Sequence, residues 1–368
     1  MYLHLVLSPQ SILTIFSKPI HHQITMNIVF KELEDLSRKI FSAIGCDDTE
    51  ARNISRLLVR ANLTGHDSHG VIRISQYIEF WRKGDVIPNQ TASINFENEV
   101  ITLFNGNRGF GQSIGNQVID EGIRKACKLG VSMVSVGNVG HLGRIGDWTE
   151  KAAKAGQASL HFVNTSGAST LVAPYGGTNG RYATNPISIG MPKNDGDPII
   201  FDAATSKLAE GKVKVALNKG AELPPDTLLD ANGSPTRNPA ALYTEPRGAL
   251  MPMGDYKGSG LAIMADLLAG AIGGGGCHAP GVTALSNGML SILLDPDVFA
   301  DRDYVDCETS RFADWVSQSK PADPKHPVQL PGEPERKTEH ERRENGIALD
   351  DKTWHQIVST AESLGITC

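Results

Sequence analysis

The chain has 368 residues, of which 40% are hydrophobic and 21% charged, enough to bury a large core and to form more than one domain. A formal charge of −6 and the lack of a dense Lys/Arg stripe argue against a general affinity for nucleic acid. The five cysteines, Cys46, Cys127, Cys277, Cys307 and Cys368, are scattered and form no C-x-x-C pair, which excludes a disulfide framework and a thiolate zinc site and favours a reducing compartment.

Residues 3–20 are mostly apolar, with Lys18 the only charge. The stretch lacks a basic n-region and a small-residue cleavage site, and Pro9 and Pro19 count against a spanning helix. Residues 1–26 therefore read as an N-terminal extension, disordered or derived from an upstream start, with a cleaved targeting segment as the alternative. Val29 to Ile44 reads as an amphipathic helix stopped by Gly45. Asp47 or Asp48 caps the next helix, which carries Ala51, Ile54, Leu57, Leu58 and Ala61 at helical spacing. Gly65 ends it. A third helix places Ile74, Tyr77, Ile78 and Trp81 on one apolar face.

Between these helices lies Gly65-His-Asp-Ser-His-Gly-Val-Ile-Arg73. An ordinary polar turn accounts for Asp67, Ser68 and Gly70. It accounts poorly for His66, His69 and Arg73 in one short run, so this junction is the first candidate for a functional cleft.

Further on, Val100–Phe104 reads as a strand, Gln112–Leu129 as a helix and Val131–Val136 as a strand, the size of a parallel crossover. Gly109-x-Gly111 with Gly115 misses the dinucleotide fingerprint spacing by one residue, so no ordinary Rossmann unit is expected. Gly137 to Gly146 carries His141, Leu142, Gly143 and Arg144 between a strand and an Ala-rich helix, where backbone N–H groups and a guanidinium suit an anion. The bland alternative is a loop with a solvated arginine. Ala158–Val163 is another strand. Pro198–Asp202 is a strand ending on a carboxylate beside Thr205 and Ser206, which suits either a site or a helix cap. Residues 211–256 are rich in proline and turns, with Asp230–Gly233 as a hairpin signal. Lys257 and Gly258 open an apolar helix that runs through Leu261–Ile272. Lys257 suits a phosphate there, or is a plain surface lysine. Strand Met289–Leu294, helix Thr309–Ser319, a polar Pro/Glu/Arg-rich loop and a helix from Asp350 complete the chain.

Seven pieces in order now resemble the type-2 malate/L-lactate dehydrogenase family, also called sulfolactate-dehydrogenase-like. They are Gly65–Val71, Asn107–Gln112, His141–Gly146, Ala183–Ile187, Phe201–Ser206, Lys257-Gly258 and Asn345–Asp350, spanning about residues 27 to 366. The resemblance implies an α/β fold whose NAD(P)-binding central domain, residues 96–294, is not a Rossmann fold. It implies a smaller, mainly helical, discontinuous domain for substrate and dimer contacts, residues 27–95 and 295–368. It also implies interconversion of 2-oxo and 2-hydroxy acids with NAD or NADP, by a cytoplasmic homodimer with no nucleic-acid or membrane partner.

By the same resemblance His69 is the catalytic proton donor and acceptor, with Ser68 and Asp202 as its relay partners. Arg73 and His141 contact substrate or cofactor. Leu142, Gly143, Arg144, Thr184, Asp202, Ala203, Ala204, Lys257 and Gly258 match cofactor positions. Tyr256 departs from the pattern, where many members have histidine. The chemistry suits these residues: hydride transfer to a carbonyl carbon leaves negative charge on oxygen, which an imidazolium held by a carboxylate can protonate. Arg73 is the candidate for the substrate carboxylate. Two other readings stand beside this one. A cyclic imine reductase would use the same frame. A metal-dependent hydrolase or lyase would use His66 and His69 at i, i+3, completed by His141, His161 and Asp202.

Overall fold

The fold is that of a computed structural model describing residues 25–367 except 168, 169, 194, 195, 219 and 283. The expected N-terminal extension lies outside these residues, apart from Thr25 and Met26, which open the first strand. The chain begins with strand β1 (Thr25–Ile28) and helices α1 (Phe30–Ala43), α2 (Asp48–Leu63) and α3 (Ile74–Lys83). It continues through β2 (Ser93–Glu97), β3 (Ile101–Asn105), α4 (Gly111–Leu129), β4 (Val131–Val139), α5 (Gly146–Lys154), β5 (Ala158–Ser166), β6 (Ile187–Met191) and β7 (Ile199–Ala203). Then come α6 (Glu210–Asn218), the short strands β8 (Leu228–Leu229), β9 (Pro235–Thr236) and β10 (Ala249–Leu250), α7 (Tyr256–Asp266) and β11 (Ser286–Leu294). Helices α8 (Pro296–Phe299), α9 (Arg302–Ser317) and α10 (Glu333–Asn345), strand β12 (Ile347–Asp350) and helix α11 (Asp351–Glu362) complete it.

Seven strands form one mixed sheet in the order β2-β3-β4-β11-β5-β6-β7. Only β3 and β4 run parallel, with Phe104 opposite Val136. Helix α4 is their crossover and buries Ile114, Val118, Ile119 and Ala126 on the sheet. Strand β11 then inserts antiparallel between β4 and β5, with Leu290 opposite both Ser135 and Phe162. This order is α/β without being the parallel sheet of a Rossmann unit.

A second core joins the two ends of the chain. Leu33, Ile40 and Phe41 of α1 pack with Ile54 and Leu58 of α2, Ile74 and Ile78 of α3, and Ile347, Leu349 and Ile357 from the C-terminal segment. Strand β12 pairs antiparallel with β1, Leu349 opposite Met26. Residues 295–302 instead hold the sheet side: Asp295 N donates to Gly130 O at 2.8 Å, and Arg302 Nη1 to Gly156 O at 3.1 Å. Asp47 is the cap of α2, its carboxylate accepting from Glu50 N at 2.7 Å.

Three expectations change. The turn-rich span after residue 210 begins with a helix, α6, which buries only Gly211 and Val213. The alternation Lys212-Val-Lys-Val215 has strand rather than helix period, so pattern alone misleads there. The polar loop before Asn345 holds helix α10, which buries no residue and so carries no apolar stripe. Its support is ionic, including the Arg343–Glu339 pair at 2.6 Å. The helix expected through Ile272 is α-helical only to Asp266, and Leu267–Ile272 winds as a π-helix.

Candidate active site

Between α2 and α3 the chain makes two single 3-10 turns, Asp67–His69 and Val71–Arg73. Asn62, in the last turn of α2, ties both together. Its Nδ2 donates to Asp67 Oδ1 at 2.7 Å, and its Oδ1 accepts the Val71 N–H at 2.8 Å. Arg342 of α10 closes on Asp67 from the far end of the chain, Nη1 to Oδ1 at 2.6 Å and Nη2 to Oδ2 at 3.1 Å. A Cβ at Gly70 would lie 2.1 Å from Asn62 Oδ1, so only glycine fits that joint.

These turns present His69 to His141, which follows β4. His69 Nδ1 lies 3.3 Å from His141 Nε2, and the rings are 7° from parallel. The glycines that mimic a dinucleotide fingerprint make this approach possible. A Cβ at Gly111 would lie 2.2 Å from the His141 carbonyl oxygen, and one at Gly115 2.6 Å from Trp148. Behind His141, Tyr77 Oη lies 2.7 Å from Nδ1, and Gln112 Nε2 donates to Tyr77 Oη at 2.9 Å.

Burial, then His141 and Arg73, push the His69 pKa well below the ordinary histidine value. Burial and Arg73 lower His141 to about 3. Both rings are therefore neutral at pH 7 in the free protein. This corrects the expectation of an imidazolium held by a carboxylate: the ring partner of His69 is another imidazole.

Asp202 sits elsewhere in the network. Its Oδ2 accepts the Gly146 N–H at the start of α5, at 2.8 Å, and lies 3.9 Å from Arg144 Nε. It acts as the cap of a helix remote in sequence, and Gly146 lets it approach, since a Cβ there would lie 2.9 Å from Oδ2. The anion expected at that helix start is thus a carboxylate of the chain itself. Ser68 gives its carbonyl to Arg73 Nε at 2.6 Å, and its side chain faces Gly211 of α6, where a Cβ would lie 2.1 Å from Ser68 Cβ.

Arg73 also donates from Nη1 to Gln76 at 2.7 Å, and its Nη2 lies 3.6 Å from Glu210. Glu210 in turn accepts from Tyr243 Oη at 2.8 Å. Arg144 pairs with Asp147 at 2.9 Å, while its buried Nε makes no hydrogen bond among the described residues. It lines a cavity of about 470 Å³ that also takes in Arg56, Arg60, Lys154, Glu335 and Arg336. Leu142 is buried, its N–H on Asn287 Oδ1 at 2.8 Å, and Gly143 turns the loop at φ +76.

Thr184 and the Lys257-Gly258 turn are linked by backbone. Thr205 N donates to Thr184 O, Met253 N to Thr205 O, and Gly258 N to Met253 O, each at 2.9 Å. Ala203 ends β7, and Ala204 follows it. Lys257 is exposed, its ammonium 6.0 Å from the centre of the Tyr256 ring. For the metal reading, His66 and His69 part company: His66 Nδ1 meets Thr64 O at 3.2 Å while His69 meets His141. Among the described residues no group of three or more His, Cys, Asp or Glu side chains is set to hold a metal ion.

Sequence reasoning missed Tyr77, Gln112, Glu210, Tyr243, Asn62 and Arg342. Tyr77 shows in the sequence only as one member of an apolar helix face, and Glu210 and Arg342 sit in helices that pattern did not reveal. Gln112 ends one of the seven recognised pieces, which is the one signal that pointed to it.

Comparison with known proteins identifies the family. The sequence model for malate/L-lactate dehydrogenase matches residues 28–358. Hydroxycarboxylate dehydrogenase B of Escherichia coli K12 is 38% identical over 339 residues, 91% of this chain and 93% of that protein. L-sulfolactate dehydrogenase of Methanothermobacter thermautotrophicus is 31% identical over 93% of this chain and 98% of its own. The structure of sulfolactate dehydrogenase from Methanocaldococcus jannaschii superposes with a TM-score of 0.82 at 28% identity, covering 93% of this chain and 98% of that one. That of Δ1-piperideine-2-carboxylate reductase from Pseudomonas syringae pv. tomato gives a TM-score of 0.78 at 28% identity, covering 92% and 100%. The chain belongs to the malate/L-lactate dehydrogenase family, whose dehydrogenases use pyridine nucleotides and act on small hydroxy and oxo acids.

Proposed function

We propose that the protein is an NAD(P)-dependent 2-hydroxycarboxylate dehydrogenase that works in both directions between 2-oxo and 2-hydroxy acids, with His69 as the group that exchanges a proton with the substrate oxygen. The observation that carries this reading is the convergence of the His69–His141 pair and Arg73 on one pair of short turns. The pair supplies an acid and base without a metal ligand set, and Arg73 supplies the cation that a 2-oxo acid needs.

The residues fit a dinucleotide. Arg144 borders a cavity whose lining carries Arg56, Arg60, Lys154 and Arg336 together with Glu34, Glu150, Asp197, Glu335 and Glu339, so a pyrophosphate there would take these cations in exchange for internal carboxylates such as Glu150 and Asp197. His141, Leu142, Gly143, Arg144, Thr184, Asp202, Ala203 and Ala204 are proposed to hold the remainder, with Lys257 and Gly258 at the end of the backbone ladder. When bound, the cofactor supplies or accepts hydride at the substrate carbon.

Arg73 Nη2 takes the substrate carboxylate, displacing Glu210. His69 donates to the oxygen on which charge develops, a contribution of about 10²–10⁴-fold. Orientation of the carbonyl between Arg73 and His69 supplies much of the rest. The relatives that are Δ1-pyrroline-2-carboxylate/Δ1-piperideine-2-carboxylate reductases, 31% identical over 74% of this chain, support a second reading in which the same acid serves a cyclic C=N bond.

A homodimer is part of the proposal. Helix α7 and its π turn expose Leu261, Met264, Leu267 and Ile272, beside Tyr175 and Tyr256, an apolar face that a second copy would cover. The test of the catalytic assignment is His69→Ala. It should bind NADH or NADPH as the wild type does, by fluorescence titration, and lose at least 100-fold in turnover. Wild-type turnover in the variant would remove His69 from the mechanism.

A further inference from the structure

The hydrogen bonds behind His69 form a chain with a direction. An amide N–H can only donate, so Gln112 Nε2 makes the Tyr77 oxygen an acceptor. The Tyr77 hydrogen is then free to point at His141 Nδ1, 2.7 Å away. A ring nitrogen that accepts leaves the other to carry the hydrogen, so His141 is protonated on Nε2. That hydrogen faces His69 Nδ1 at 3.3 Å, which puts the His69 proton on Nε2, the nitrogen free to meet a substrate. Four groups, drawn from α4, α3, the loop after β4 and the first 3-10 turn, thus agree on one polarity.

We propose that Tyr77 and Gln112 are positioning residues that fix the tautomer of the histidine pair and complete a proton relay to His69. The proposal rests on the reading of His69 as the acid. It explains how two imidazoles kept neutral by burial protonate an alkoxide without either becoming an imidazolium. In the reductive direction the substrate O–H bond forms as His69 Nε2–H breaks. His69 Nδ1 takes the proton of His141 Nε2, and His141 Nδ1 takes that of Tyr77. The phenoxide left on Tyr77 accepts from Gln112 Nε2–H and from the new His141 Nδ1–H. When product leaves, His69 Nε2 takes a proton from water and the two transfers run back, His69 Nδ1–H to His141 Nε2 and His141 Nδ1–H to the phenoxide, which restores Tyr77 and both resting tautomers. Oxidation of the alcohol runs the same transfers backwards. The charged and titratable groups that face the pair are Arg73, Arg144 and His66. Arg73 also favours negative charge on Tyr77, whose hydroxyl burial otherwise pushes up to about 12. Tyr77 packs against Phe41 and Phe110, so a phenylalanine fills its place with only the hydroxyl removed.

The test needs no substrate at first. Nitrogen-15 NMR of the full chain labelled in histidine, at pH 7, should show His69 and His141 neutral and both protonated on Nε2. Tyr77→Phe should release that preference in both rings. Gln112→Glu offers a carboxylate that accepts the Tyr77 hydrogen, and should move both protons to Nδ1. In 2-oxo acid reduction, Tyr77→Phe should lower kcat by about 10–100-fold with KM changed less than about 2-fold, because the group acts through His69. Its rate should also fall as pH rises, since His69 must then draw its proton from solvent. Wild-type rings protonated on Nδ1 would overturn the proposal, as would spectra and kcat unchanged in both variants. The predicted spectra in a protein that reduces no oxo acid or imine would overturn the dehydrogenase reading while leaving the tautomer lock in place.

Discussion

Arg73 has little of its guanidinium to spare. Nε and Nη1 hold Ser68 O and Gln76, at 2.6 and 2.7 Å, and Nη2 faces the Glu210 carboxylate at 3.6 Å. A substrate carboxylate must therefore compete with an internal one. Glu210→Gln keeps the shape and the contact with Tyr243 but removes the competing charge. Its KM for a 2-oxo acid should fall severalfold with kcat little changed, measured by steady-state kinetics. An unchanged or higher KM would mean that Arg73 does not bind the substrate through Nη2. At this scale the sequence was readable where polar residues crowd a turn, as at His69 and Arg73. It was silent where a functional group hides in an apolar stripe: Tyr77 shares its helix face with Ile74 and Ile78, all three buried. Asp202 was legible as a carboxylate at a strand end, but its partner, the Gly146 N–H, is 56 residues away and no local pattern records it.

At the scale of elements, the site depends on glycines and on one asparagine that fix how closely segments approach. Asn62→Ala leaves the Val71 N–H without a partner and removes one of the two donors to Asp67 Oδ1, Arg342 keeping the other, which costs about 1–3 kcal/mol. Gly111→Ala drives a methyl group to within 2.2 Å of the His141 carbonyl, and overpacking of this kind costs about 1–3 kcal/mol. Both variants should lower the urea midpoint. Gly111→Ala should also lose turnover, because the strain falls on the segment that carries His141. A Gly111→Ala protein with wild-type kcat would show that the His141 loop tolerates displacement. The main helices and most sheet strands could be read from periodicity, since each buries a face. Helix α10 could not, because none of its residues is buried, and yet it delivers Arg342 to Asp67. Strand β2 alternates Ser-Ile-Asn-Phe-Glu yet is exposed along its whole length, so there the alternation marks no buried face.

At the scale of the whole molecule, three imidazoles held below the ordinary histidine value make the fold sensitive to acid. His161 joins the active-site pair: it lies between Ser291 and Ser159 across the sheet, and burial lowers its pKa to about 3. A histidine whose folded pKa is depressed contributes its full stability above the unfolded value near 6.5. It loses that contribution as pH falls toward the folded value. From pH 7 to 5.5 His141 and His161 should each cost roughly 1 kcal/mol, with His69 acting in the same direction, so urea unfolding should weaken by roughly 2 kcal/mol or more over that window. A midpoint that does not move would mean that the rings are accessible to protons. The apolar face on α7 belongs to the same scale. Paired Met264→Glu and Leu267→Glu substitutions should convert a dimer to a monomer in sedimentation, and a wild-type monomer would contradict the proposed assembly. The antiparallel pairing of Met26 with Leu349 joins opposite ends of the chain, and no local pattern in the sequence records it.

The most direct test of the dehydrogenase reading is the loss of NADH absorbance and, separately, NADPH absorbance near pH 7 with a panel of pyruvate, oxaloacetate, 2-oxoglutarate, phenylpyruvate, hydroxyphenylpyruvate and a cyclic imine. The account predicts turnover of at least one 2-oxo acid, abolished by His69→Ala, which would name the cofactor and substrate class together. Turnover of the imine alone would move the reaction to C=N reduction. Failure to bind either nucleotide, with no member of the panel reduced, would contradict the account.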